Sequence, residues 1–157
     1  MKSLAKHMLY PADFFVGRAP YSVTTILGSC ISVCLHDPVL KQGAMNHYIL
    51  PHWNGCDADF MKYGNLSIIS ILRELLVLGS KLENLRAKVY GGAEIIAETP
   101  ANFYIGKRNA QIAFEILNEF QIPVLFSDVG GHKGRKISFN TFTGEVEFEY
   151  IGQKDKT

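Results

Sequence analysis

The chain reads as strands at both ends and helices between them. Tyr21 to Leu27 is a run of β-branched and apolar residues, the signature of a strand. Gly28-Ser29 breaks it, and Ile31 to Leu35 forms a second strand. There Ile31, Val33 and Leu35 fall on one face, and Cys30, Ser32 and Cys34 on the other. Asp37-Pro38 opens a turn and Gly43 closes it. Ala44 to Leu50 is a third strand, stopped by Pro51. Before these, residues 1–20 are a lead-in punctuated by Pro11 and Pro20, with Phe14-Phe15-Val16 as an edge strand. After them, Ile68, Ile69, Leu72, Leu75 and Leu76 recur at helical spacing, with Asp57 or Asp59 as the cap and Gly79 as the stop.

Further on, Lys88 to Tyr90 is a short buried strand running into Gly91-Gly92-Ala93. Glu94 to Tyr104 has no decisive pattern, and Pro100 opposes a long helix. Asn109 to Phe120 repeats a helical stripe with Ile112, Ile116, Leu117 and Phe120 inward. Val124 to Phe126 is a strand, Gly130 to Gly134 a loop, and Ile137–Phe139 pairs with Val146–Tyr150 across Thr143-Gly144. Strands at both ends with helices between them predict an α+β fold, not a regular βαβ array.

Composition narrows the class. With 157 residues, 47% hydrophobic and 20% charged, the chain is one soluble domain with a core of its own. The net charge of +1 gives no general field that favours nucleic acid or an anionic membrane. Lys2, Lys6 and His7 interrupt the first ten residues, so no signal peptide is expected. The uncharged run Ala19–Leu35 is too short and too broken for a membrane span. The three cysteines, Cys30, Cys34 and Cys56, are an odd, sparse set, which points to thiols in a reducing cytoplasm.

The candidate chemistry gathers at the second and third strands. Folding that hairpin about the Pro38–Val39 midpoint puts Cys30 opposite His47, and opposed residues share a face. An imidazole beside a thiol can take its proton, giving a thiolate and an imidazolium. Gly28 ahead of the cysteine lets backbone approach a substrate, and the Cys30 N–H is a natural oxyanion donor. Thr24, on the preceding strand, offers a hydroxyl to the second imidazole N–H, which would fix the tautomer. Cysteines in apolar strands also serve as plain packing residues, so spacing alone leaves both readings open. Zinc is disfavoured, because Cys30 and Cys34 on one strand are roughly 13 Å apart. No metal or cofactor is expected. Gly91-Gly92, Gly106-Lys107-Arg108 and Gly130 to Arg135 match no phosphate-binding fingerprint and read as turns with a solvated basic face, with a role in a pocket rim or a protein-binding lip left open.

Taken in order, several short motifs resemble the CheD family, the chemoreceptor glutamine deamidases of bacterial and archaeal chemotaxis. They are Leu27-Gly28-Ser29-Cys30-Ile31-Ser32-Val33-Cys34, Asp37-Pro38, Gly43-Ala44-Met45-Asn46-His47 and Leu50-Pro51. Lys62-Tyr63-Gly64, Ala87 to Ala93 and Ile105-Gly106-Lys107-Arg108-Asn109 follow. Asp128-Val129-Gly130-Gly131, Gly134-Arg135-Lys136 and Thr143-Gly144 close the set.

The resemblance implies a Cys–His–Thr triad, falling on Cys30, His47 and Thr24; Thr25 is adjacent, but the spacing to the cysteine favours Thr24. It implies an α+β fold of mixed sheets packed as a sandwich and flanked by helices, similar to deamidating bacterial toxins. It further implies cysteine-dependent conversion of glutamine to glutamate on methyl-accepting chemoreceptors, and binding of CheC, the phosphatase that acts on phosphorylated CheY. A second reading, a mainly non-catalytic regulator that binds CheC or receptors, stands beside it. Pro11-Ala12-Asp13 departs from the family's usual Pro-Gly-Glu, and Thr99 to Tyr104 follows no strong pattern.

Overall fold

The computed structural model describes residues 4–95 and 103–152. Most of the stretch left open between Glu94 and Tyr104 therefore lies outside the described residues. Among the described residues nine strands and two α-helices follow in the order β1 Ala5–Met8, β2 Phe14–Gly17, β3 Tyr21–Leu27, β4 Ile31–Asp37, β5 Gln42–Asn46, α1 Gly64–Val77, β6 Arg86–Gly91, α2 Ile105–Glu119, β7 Val124–Val129, β8 Gly134–Asn140 and β9 Val146–Ile151. They form a four-stranded sheet, β1-β3-β8-β9, and a five-stranded sheet, β2-β5-β4-β6-β7. Both sheets are mixed, since β1 runs parallel to β3 and β6 parallel to β7. This is an α+β sandwich with helices on one side, as expected.

The alternation in β4 builds the layers. Ile31, Val33 and Leu35 join Val89, Ile68, Ile71, Leu75, Ile112 and Leu117 in a core between the five-stranded sheet and the helices. Cys34 joins Met45 and Tyr90 against Val23, Leu27, Ile137 and Phe139, in a second core between the two sheets. Each fully buried Leu or Ile contributes about 1.5–3 kcal/mol. β4 is thus held from both sides, and its ends are well placed to carry a site.

Several local expectations shift. β1 is a strand where only a lead-in was read, because parallel pairing with β3 outweighs its polar composition. α2 starts at Ile105, four residues ahead of the periodic stripe. Neither Asp57 nor Asp59 caps α1: the first amides, Gly64 and Asn65, donate to the Leu50 and Pro51 carbonyls. Asp57 instead accepts Lys62 Nζ and Tyr63 Oη, each at 3.0 Å. Leu76, which shares the helical spacing of the first stripe, is exposed.

The hairpin register also differs. Asp37 pairs with Gln42 and Cys34 with Met45, so the fold is about Val39–Leu40. Asp37 fixes this loop. Its carboxylate accepts the Val39 and Leu40 amides at 2.9 and 3.0 Å and the Ser80 hydroxyl at 2.6 Å. Lys41 takes up the reversal with φ 54°. Moving the midpoint by one residue slips the register by two, and a two-residue slip keeps every side chain on its face.

Candidate active site

The site is built where β3 hands over to β4 and where β5 ends. In the corrected register Ile31 bridges Tyr48, so His47 stands across from Ser32 and diagonal to Cys30. Diagonal neighbours on one face are about 7–8 Å apart, still within reach of side chains. Cys30 packs against the core between the sheets, and His47 bonds to an inward residue of β3, so both lie on the inter-sheet side. Among the described residues no hydrogen bond joins Cys30 Sγ to His47.

The Cys30 segment is pinned through its carbonyls. The Gly28 carbonyl accepts the Ala93 amide at 3.0 Å, and the Cys30 carbonyl accepts the Gly92 amide at 2.9 Å. Gly91 makes this possible: it has φ 113°, and a Cβ there would overlap the Cys30 carbonyl oxygen. The glycines read from sequence as turns thus bring the end of β6 against the cysteine's backbone. Ile95, half exposed, lies over Gly28 as one lip of the site.

His47 is placed by an interruption of the ladder. The Asn46 side chain takes the place of a main-chain carbonyl, with Oδ1 accepting the Val33 amide at 2.7 Å. Its Nδ2 donates to Ser67 Oγ of α1 at 2.9 Å. β5 ends there, and His47 turns its backbone to the lead-in: its N–H donates to the Asp13 carbonyl, and its carbonyl accepts the Ala12 amide.

The threonine expectation needs correction. Thr24 is not beside His47; its hydroxyl bonds Ser138 Oγ of β8 at 2.7 Å. The hydroxyl 2.7 Å from His47 Nδ1 is that of Thr25. The reason is strand parity. Val23, Thr25 and Leu27 point into the core between the sheets, and Thr24 points to the other face. The buried Val23 and Leu27 are the sequence signal that selects Thr25.

The hydrogen bonds of Thr25 also fix the imidazole tautomer. Its hydroxyl donates its single proton to the Leu9 carbonyl at 2.7 Å. Its oxygen is therefore an acceptor toward His47, and Nδ1 carries the ring proton. Nε2 is left as the basic nitrogen, without a hydrogen-bond partner among the described residues. Leu9, at the exit of β1, was missed because its contribution is a main-chain carbonyl.

Burial sets the resting charges. It pushes the Cys30 thiol up to about 11, its own amide N–H drawing it down only in part. It pulls the His47 imidazole down to about 4. Near neutral pH both groups are neutral, so the resting site is not the thiolate–imidazolium pair expected from sequence. Cys34, wholly buried at 1% exposure, is pushed up to about 12 and acts as core packing; Cys56 is exposed in a loop.

The glycine-rich stretch before β8 is only in part a solvated basic loop. Arg135 is 3% exposed. Its Nε donates to Asp128 at 2.6 Å, and its other nitrogens donate to the Gly91 and Gly130 carbonyls at 3.2 and 2.9 Å. It ties that loop to the glycine that supports Cys30. Among the described residues no three His, Cys, Asp or Glu side chains converge to hold a metal. No helix among them is long and apolar enough to cross a membrane.

A family model described as CheD chemotactic sensory transduction matches residues 49–150. A probable chemoreceptor glutamine deamidase CheD of Trichlorobacter lovleyi is 41% identical over 143 residues, covering 91% of this chain and 89% of that protein. One from Sulfurimonas denitrificans, with the same name, is 37% identical over 93% of this chain and 94% of its own. The chemoreceptor glutamine deamidase CheD of Thermotoga maritima is 34% identical over 94% and 93%. With a domain model covering well over half of its length and full-length relatives above 30% identity, the chain belongs to the CheD family.

Proposed function

We propose that this protein hydrolyses glutamine side-chain amides of methyl-accepting chemoreceptors to glutamate, with Cys30 as nucleophile and His47 as general base. The observation that carries the reading is the relay from Leu9 through Thr25 to His47. It leaves a neutral imidazole with Nε2 basic, on the face of the sheet that also bears Cys30. Names of the relatives supply the substrate class.

With both groups neutral at rest, the thiol proton moves to His47 Nε2 as sulfur attacks the amide carbon. The carbonyl oxygen becomes an oxyanion, received by the Cys30 N–H. Among the described residues that amide donates to no other residue. Imidazolium then gives its proton to the nitrogen, the C–N bond breaks, and ammonia leaves a thioester on Cys30. Water, deprotonated by His47, attacks the thioester; sulfur departs and regains the proton, and glutamate is released. Thr25 holds Nδ1 throughout. The product carries one more negative charge than the substrate, which is how a receptor segment would feel the change.

The test is mass spectrometry of a receptor cytoplasmic fragment incubated with the purified protein. Glutamine-to-glutamate conversion is expected, and Cys30→Ala should lower its rate by about 10⁴-fold or more, as for other nucleophiles that act as a unit with their base. Conversion at the parent rate by Cys30→Ala would remove Cys30 from the mechanism. A chain acting chiefly as a non-catalytic regulator of CheC would convert no glutamine in either form.

A further inference from the structure

Asn109, in the second turn of α2, is wholly buried. Its Nδ2 donates to the Ser29 carbonyl at 3.0 Å and to the Ile49 carbonyl at 2.8 Å. Its Oδ1 has no partner among the described residues. Turning the amide over would aim that oxygen at two carbonyl oxygens, so the network allows one orientation only. A buried acceptor without a partner is unfavourable, so this residue is explained by what its donors hold.

Those donors hold the two halves of the site. Ser29 is joined by its peptide bond to Cys30, and Ile49 stands two residues beyond His47. α2 comes close enough to do this because Gly106 packs on the backbone of Gly92 and Ala93, where a Cβ would overlap the Gly92 oxygen. The Tyr48 hydroxyl, donating to the Asn109 main-chain carbonyl at 2.6 Å, fixes the same turn of helix from the strand side.

A trans peptide is planar, with its C=O and N–H antiparallel. Holding the Ser29 carbonyl toward α2 therefore aims the Cys30 N–H the opposite way. The carbonyls on either side are held as well, Gly28 by Ala93 and Cys30 by Gly92. The amides of Ser29 and Cys30 donate to no other residue among those described. We propose that Asn109 is the positioning residue of the oxyanion hole, locking the Ser29–Cys30 peptide plane so that the Cys30 amide faces the oxygen of the attacked glutamine amide.

This inference rests on Cys30 as the nucleophile of amide hydrolysis, and the experiment separates the two. All variants are made in a Cys56→Ser background, so that Cys30 is the one accessible thiol beside buried Cys34. Each is assayed twice: for receptor-fragment deamidation, and for alkylation of Cys30 by iodoacetamide. Alkylation displaces iodide without forming an oxyanion, so it reports on the thiol and not on the hole.

Asn109→Asp keeps the shape and loses the donors. It should lower kcat by about 10²-fold with KM changed less than about threefold, the size of effect seen when an oxyanion donor is lost. Its alkylation rate should stay within about threefold of the parent, since the thiol itself is untouched. Asn109→Ser, which keeps one short donor, should fall between; it carries the same two comparisons if Asn109→Asp does not melt cooperatively. A kcat within about threefold of the parent overturns the proposal, as does a loss of kcat and alkylation in equal proportion, which would mark general collapse of the site. Cys30→Ala in the same series marks the other failure: if it turns over glutamine, the nucleophile assignment falls and the role of Asn109 falls with it.

Discussion

The two ends of the β4–β5 pair are built on opposite principles. At the turn, Asp37, Gln42 and Ser80 are buried and joined, Gln42 Nε2 donating to Ser80, and Ser80 and two turn amides donating to the Asp37 carboxylate. At the other end, the ladder is spliced by the Asn46 side chain, and an Asn109 oxygen has no partner among the described residues. The Cys30 amide and the His47 Nε2 there have no partner among the described residues. A network of buried side chains bonded to one another fixes the register. An open one, held in place by its neighbours, keeps donors and a base available for a reacting group. The difference teaches that the register lock and the proposed chemistry are separable along a single hairpin.

Substitutions at each end can break that separation. Asp37→Ala strands two amides and a hydroxyl, and should lower unfolding free energy by about 2–4 kcal/mol in urea melts. The deamidation rate per folded molecule should stay near the parent's. A large loss of kcat at unchanged stability would show that the turn governs the site after all.

The open end should show itself in pH. The folded pKa of His47, about 4, lies below its unfolded value of 6.5. The unfolded chain therefore binds more protons between these values. The stability tied to keeping His47 neutral is fully present above pH 6.5 and is lost as pH falls toward 4, about 3 kcal/mol in all. His36 shifts in the same direction, so the informative quantity is the difference between the parent and His47→Gln, read as unfolding free energy against pH. An equal slope in both would sink the assignment of that loss to His47.

The two threonines give the smallest and sharpest contrast. Thr25→Val should cut kcat about 10- to 100-fold, equivalent to about 1.4–2.7 kcal/mol, because Nδ1–H loses its acceptor and the tautomer is no longer fixed. Thr24→Val should change kcat less than about twofold and stability by less than about 0.5 kcal/mol, as for a side chain away from the site. The opposite ranking would restore Thr24 and remove the relay.

What was legible in the sequence was periodic. The alternation Ile31, Val33, Leu35 against Cys30, Ser32, Cys34 predicted both faces of β4, and the structure puts a core on each. The register was misplaced by two residues because the turn centre depends on the Asp37–Ser80 contact, between residues far apart in sequence. The error was harmless, since the strand period is two. The choice of Thr24 was not harmless, because a shift of one residue on β3 changes the face. The Asn109 and Leu9 contacts were illegible for another reason. One is a buried amide reaching main-chain carbonyls 60 and 80 positions away, and the other is a main-chain oxygen that no residue type announces.

β1 carries one more consequence. It is a four-residue edge strand, largely solvent-exposed, paired on one side only. Short edge strands open locally at a small fraction of the global unfolding free energy. Here such an opening would carry off the Leu9 carbonyl, free the Thr25 hydroxyl proton and let the His47 ring protonate on either nitrogen. The buried Leu9 side chain, 2% exposed in the core between the sheets, resists this. The proposed base of the site is thus only as well defined, moment to moment, as β1.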